Sequence, residues 1–222
     1  MNIKPEFDSI SEFDSSTFAL DALKIYNQHH NIIQNFSDLI IVDVGAGQPV
    51  HYSNTLLFRN EGCKVIAIEP IKRFCEMFIS EGFEVLNYAV SEEDVGEILF
   101  REYPDRHGGL SCSGIHSDVS TKEFGDVGYV DYMVPSLSLN TILQKHHPEV
   151  TRIDVLDIDT EGMEMKILKG LDMDKYQPKV IIMENIDPTD KWIPPYGYHE
   201  MYESIGYEVI FRCAHNDILI RK

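Results

Sequence analysis

Four short stretches of the chain carry residue types that chemistry needs. Asp43-Val44-Gly45-Ala46-Gly47 follows the apolar run Leu39-Ile40-Ile41-Val42, and Glu69-Pro70 closes the run Val65-Ile66-Ala67-Ile68. Asp159 ends "IDVLDID", and Glu184-Asn185 ends "VIIMEN". Each stretch directly follows a strand-like run. In an open α/β sheet, ligands bind outside the carboxyl ends of the strands, so the four are expected to converge there.

A strand running into closely spaced glycines brings backbone up against a ligand. A nucleotide pyrophosphate, a sulfonium cofactor and a plain tight turn all fit such a loop. Gly45 and Gly47 supply the first two glycines of the dinucleotide fingerprint, but Val50, preceded by Pro49, stands at the third. No Gly-Lys-Ser/Thr follows, so the loop is not a Walker phosphate loop. Asp43 would oppose the charge of a pyrophosphate and suits a cationic ligand. S-adenosylmethionine carries an ammonium and a sulfonium and no phosphate, and is the expected cofactor on charge grounds. Glu69, about 20–25 residues beyond the glycines, is placed to take both ribose hydroxyls. That contact serves NAD equally. The adenine is expected beside the third strand end, near Asn87 and Ala89. The cofactor-binding set is then Asp43, Gly45, Ala46, Gly47, Glu69, Pro70, Asn87 and Ala89.

Asp159, Glu184 and Asn185 would lie at the reactive end. Two carboxylates and an amide oxygen suit magnesium, which would hold an acceptor hydroxyl and lower its pKa. The placement resembles that of magnesium-dependent catechol O-methyltransferases. A metal-free role, with Asp159 or Glu184 as base or substrate contact, competes with it. A plain helix cap by Asp159 and Glu161 is the bland alternative. Among nine histidines no metal-ligand spacing occurs. His116, or His107, in the irregular segment after the third strand, is a candidate general base. His51 is expected near the pocket, His29-His30 and His146-His147 in exposed stretches, and His199 and His215 in structural roles. Trp192, Pro194, Pro195 and Tyr196 form an aromatic loop after the fifth strand.

The elements that must position these residues are legible from recurring junctions. Glu61-Gly62-Cys63-Lys64-Val65, Glu81-Gly82-Phe83-Glu84-Val85 and Ile205-Gly206-Tyr207-Glu208-Val209 each read as a helix, a glycine stop and a strand start. Their repetition predicts α/β alternation and a mostly parallel sheet. Strands are expected at 39–44, 64–69, 84–89, 153–158, 180–184, 207–212 and 217–221, the last two as an antiparallel hairpin. Core-facing helix residues are Ile71, Phe74 and Phe78; Met163, Ile167 and Leu171; and Tyr198, Met201, Tyr202 and Ile205. Residues 1–36 form a helical lead-in with Phe18, Ala22 and Ile25 inward. Residues 101–132 read as an irregular cover or substrate segment. The whole, 1–222, reads as one domain.

Nineteen Lys plus Arg against 37 Asp plus Glu give a net charge of −18, which disfavours nucleic acid and anionic membranes as partners. Cys63, Cys75, Cys112 and Cys213 form no CxxC pair and fit free thiols. With no apolar leader and no long apolar run, a cytoplasmic protein is expected. The partner is a small-molecule acceptor, with homodimerisation left open.

In order and content, "IIVDVGAGQP", "VIAIEP", "NYAVSEEDVGEILF", "VPSLSLNTIL", "IDVLDIDTEGMEMKILKG" and "VIIMEN" resemble the FkbM family of S-adenosylmethionine-dependent methyltransferases. The most specific match is "IDTEGMEMKILKG". The resemblance implies a Rossmann-like class I methyltransferase fold, a seven-stranded sheet of order 3-2-1-4-5-7-6. It also implies methyl transfer, usually to a hydroxyl of a sugar or other secondary metabolite. An NAD-dependent oxidoreductase and a non-catalytic cofactor-binding protein are the rival readings.

Overall fold

The computed structural model describes residues 15–103, 113–115, 128–185, 198–213 and 216–222. In chain order its first half contains α1 (Ser15–His29), β1 (Ile40–Val44), α2 (Leu56–Asn60), β2 (Lys64–Ile68), α3 (Lys72–Ser80), β3 (Val85–Leu86), β4 (Ala89–Ser91) and β5 (Gly96–Glu102). Then come β6 (Gly114–Ile115), β7 (Val130–Ser138), α4 (Leu139–His146), β8 (Val155–Ile158), α5 (Glu164–Gly170), α6 (Met173–Tyr176), β9 (Val180–Glu184), α7 (Tyr198–Ser204), β10 (Tyr207–Cys213) and β11 (Asn216–Arg221).

Seven strands form the main sheet in the order β10-β11-β9-β8-β1-β2-β3. The β1, β2, β3, β8 and β9 pairings are parallel, and β11 runs antiparallel to both β9 and β10. The sheet is therefore mixed, with the expected strand order and the expected terminal hairpin. The two-residue alternation of a strand sorts its side chains. Val42, Val44, Leu156, Ile158, Ile181 and Met183 meet α4 and α5 on one face. Ile41, Val155, Val180, Ile182 and Ile218 meet α1 and Phe58 on the other. Strands covered on both faces are apolar almost throughout, and each buried Ile or Leu contributes about 1.5–3 kcal/mol. Gly62, Gly82 and Gly206 all take positive φ at the predicted helix stops.

Four expectations need correcting. Ile25 of α1 is exposed, and the helix instead buries Ala19, Ala22, Leu23 and Tyr26. The third strand is not continuous over 84–89. It pairs with β2 for two residues only, and the chain then crosses to a second sheet of order β4-β7-β5-β6. The edges of the segment read as irregular are also strands, since β5 reaches Glu102 and β7 begins at Val130. Ile98, Phe100, Tyr132 and Val134 alternate inward there, against Ile71 and Phe74 at α3. Finally, His147 is buried, close to Glu149 and Glu84, whereas His146 stays exposed beside Tyr88. Cys63, Cys75 and Cys213 are free thiols, and Cys112 lies outside the described residues. Among the described residues no helix is long and apolar enough to cross a membrane.

Candidate active site

The turn after β1 is held by its neighbours on both sides. Gly45 and Ala46 donate backbone N–H bonds to the Ile68 carbonyl, at 2.9 and 3.2 Å. Gly45 has φ +81°, and a Cβ there would lie 1.8 Å from the Asp159 carbonyl oxygen. Only glycine permits that approach, which presses the β1 turn against the turn after β8. Gly47, at φ +57°, would aim a Cβ at open space, with nothing nearer than the Gly45 carbonyl at 4.0 Å.

Glu69 directly follows β2 and is buried. Its Oε2 accepts from the Gly47 N–H at 2.8 Å and its Oε1 from the Ile71 N–H at 2.7 Å. Burial pushes its carboxyl up to about 8, with Asp43 and Asp159 adding to the rise while the two amide bonds oppose it. A carboxylate oxygen accepts more than one bond, so a diol can still be received beside the two amides. Asn87 anchors this corner, its Nδ2 donating to the carbonyls of Glu69 and Pro70, each at 2.9 Å. That amide nitrogen holds protein backbone, so only the carbonyl oxygen of the exposed Asn87 is offered to an adenine. Ala89 cannot border one. It is sealed into the apolar cluster of Ile71, Phe74, Phe100 and Val134, because the chain has by then left the main sheet. Ala46 is likewise buried, beside Ala67 and Phe78.

Asp43 also differs from expectation. Its Oδ2 accepts from the Thr55 hydroxyl and, at 3.2 Å, from Arg59 Nη2. Burial raises its carboxyl, and Arg59 and Thr55 hold it down. The turn therefore does not present a bare negative charge, and charge alone does not let Asp43 select a cationic ligand. Sequence reasoning missed Ser53, Thr55 and Arg59. Ser53 Oγ accepts from the N–H groups of Thr55 at 3.3 Å and Leu56 at 3.1 Å, a serine turn that leads into "LLFRN". Val50 sits in a connection that reaches α2 only at Leu56, so no close helix–strand contact demands glycine there. His51 is exposed.

At the acceptor side, Asp159 follows β8 and Glu184 ends β9, and their side chains share a hydrogen bond. Burial, then Asp159, Glu161 and Glu164, raises the Glu184 carboxyl well above its ordinary range. The N-cap of α5 is Met163, without a side-chain cap bond, and Glu164 in the first turn folds back onto the turn before the helix instead. It accepts from the Thr160 N–H at 2.9 Å, the Thr160 hydroxyl at 3.0 Å and the Gly162 N–H at 2.9 Å. Glu161 itself takes φ +57°. Gly114 of β6 lies over this turn, its Cβ position 3.6 Å from Glu161 Cβ.

Asn185, the third residue of the expected magnesium set, is buried; its Nδ2 donates to Asp217 at 2.6 Å, Asp217 is also bound by Arg212, and the Asn185 Oδ1, the atom a cation would take, has no hydrogen-bond partner among the described residues. Among the described residues no three His, Cys, Asp or Glu side chains could hold a metal ion. The candidate base His116, with His107, and the loop of Trp192, Pro194, Pro195 and Tyr196, fall outside the described residues, as does His215.

A parallel core reversed at one edge, with a glycine turn pressed onto acidic strand ends, defines a doubly wound α/β protein with a mixed sheet. The family model "Methyltransferase FkbM domain" matches residues 43–208, and the chain belongs to that family of methyltransferases. Among solved structures, the chain is similar to methyltransferase FkbM from Methylobacillus flagellatus KT, with 13% identity and a TM-score of 0.45. The similarity covers 96% of this chain and 56% of that one, so the chain spans little more than half of its length. No curated protein matches.

Proposed function

We propose that the chain is an S-adenosylmethionine-dependent O-methyltransferase acting on a hydroxyl of a small molecule such as a sugar or secondary metabolite. The observation that carries the reading is the Gly45–Asp159 contact, within a chain of this family. It sets the glycine turn and the Glu69 corner directly beside the Asp159–Glu184 pair. The residues fit the cofactor. Glu69 accepts the ribose hydroxyls, Pro70 and Asn87 frame the adenine side, and the open space above Gly47 admits a ligand against the backbone. S-adenosylmethionine, when bound, supplies an electrophilic methyl group on a sulfonium.

The protein contributes position and a proton acceptor. An acceptor hydroxyl lodged at Asp159 and Glu184 gives its proton to the ionised member of the pair as its oxygen takes the methyl. Burial disfavours the charged form of Glu184, which favours its taking that proton. The proton afterwards leaves to water. Held acceptor and cofactor react as one assembly, which removes most of the entropic part of the barrier.

Calorimetry with S-adenosylhomocysteine and with NAD tests the reading. Binding of the first alone is expected, and binding of NAD alone would overturn it. Transfer of labelled methyl to hydroxylated metabolites then identifies the acceptor. Labelling only of amines or thiols would sink the oxygen assignment.

A further inference from the structure

Asp43 of β1 and Asp157 of β8 are register partners on adjacent strands, and both are buried. The pleat puts their side chains on the same face, the one covered by α2. Like charges directly opposite in a sheet repel, and buried ones do so strongly. The cation set against them is Arg59 of α2. Its side chain is 5% exposed and bonds Asp43 Oδ2 at 3.2 Å; burial works against its charge, and Asp43 and then Asp157 oppose that. Nη1 of the same guanidinium donates to Ser53 Oγ at 3.1 Å. The guanidinium lies over the rings of Phe78 and Phe83, at 4.9 and 5.4 Å.

We propose that Arg59 is the positioning residue of the cofactor turn. One buried guanidinium neutralises the carboxylates on two neighbouring strands and, through Ser53, fixes the connection that leaves Gly47. The two strands it joins end in the two turns that meet at Gly45 and Asp159, so Arg59 sets cofactor side and acceptor side in one frame. The role rests on the methyltransferase reading for its catalytic meaning, and not for its structural one. The groups facing this cation are Asp43, Asp157, Ser53 and the two rings, with Thr55 on Asp43 and Glu69 within electrostatic reach of it.

The test compares Arg59→Met, Arg59→Lys and Asp43→Asn/Arg59→Met with the parent full chain. Backbone amide exchange over residues 45–56 is read alongside calorimetry with S-adenosylhomocysteine from about pH 5.5 to 8.5. In Arg59→Met, exchange over 45–56 is expected to rise about tenfold while β8 and β9 stay protected, and affinity to fall about tenfold near pH 8. Relative to the parent, the affinity loss shrinks on acidification as Asp43 takes up a proton, and Asp43→Asn relieves part of it. If Arg59→Met does not fold, Arg59→Lys decides. A lysine ammonium on its shorter reach cannot bond Ser53 and Asp43 together, so loop exchange still rises. Parent-like exchange and affinity in the folded variants would overturn the proposal. So would an affinity loss that is equal at every pH and indifferent to Asp43→Asn. A parent chain that binds no S-adenosylhomocysteine removes the methyltransferase reading, while the exchange data still judge Arg59.

Discussion

Glu69→Gln should reverse the sign of its effect on stability between mildly acidic and alkaline pH. Burial lifts the Glu69 carboxyl from 4.5 to about 8. A group whose folded pKa is raised contributes stability that is fully present below its unfolded pKa. The contribution is lost as pH rises through the folded value. The displacement of about 3.5 pH units is worth roughly 5 kcal/mol, with the loss falling between about pH 4.5 and 8. Glutamine does not titrate, so the slope vanishes in the variant. Its amide instead points a donor at one of two backbone donors, the N–H of Gly47 or of Ile71, now accepted by the carboxylate. That mismatch costs about 1–3 kcal/mol at any pH. Near pH 5.5 the variant is therefore expected to be level with the parent or slightly weaker. Near pH 9 it should be the more stable by roughly 2–4 kcal/mol. Urea unfolding at both pH values measures the difference directly. Equal destabilisation at both would refute the claim that burial holds Glu69 protonated.

Other substitutions probe separate parts of the frame. Gly45→Ala drives a methyl into the Asp159 carbonyl at a positive φ, and should cost more than about 3 kcal/mol by urea unfolding or prevent folding. Glu184→Gln should slow methyl transfer about 10²–10⁴-fold while S-adenosylhomocysteine affinity, followed by calorimetry, changes little. A large loss of affinity with unchanged turnover would move Glu184 to the cofactor side. Ser138 caps α4 by accepting from the Thr141 N–H, and Ser138→Ala should lower stability by about 1 kcal/mol without altering cofactor binding.

The order of the main sheet could be read because its signals are local. A glycine stop, an apolar run and an acid at its end recur along the chain, and each lies within a few residues of the next. Gly45 and Glu69 occupy the expected crevice for that reason. What escaped the sequence depends on partners far along the chain. Asp43 reads as an unpaired acid until Arg59 folds back beneath it. The Asn185 amide nitrogen finds its partner in Asp217, 32 residues later, which nothing in "VIIMEN" announces. The second sheet was within reach, since "GEILFRE" and "VDYMVPS" alternate, but its strands flank a stretch without periodicity. The jump from β3 to β4 gave no warning. A two-residue pairing with β2 looks in sequence like an ordinary full strand, and that jump is what carried Ala89 away from the crevice.

The contact of Gly114 with the Thr160–Glu161 turn joins parts that belong to different sheets. The smaller sheet is seated on Ile71 and Phe74 at the far edge of α3, so this contact is the tip of a lever whose pivot is apolar. A tilt of a few degrees at the pivot changes the gap at the tip far more than it disturbs the packing. The spacing between β6 and the turn that carries Asp159 thus follows how the two sheets are inclined.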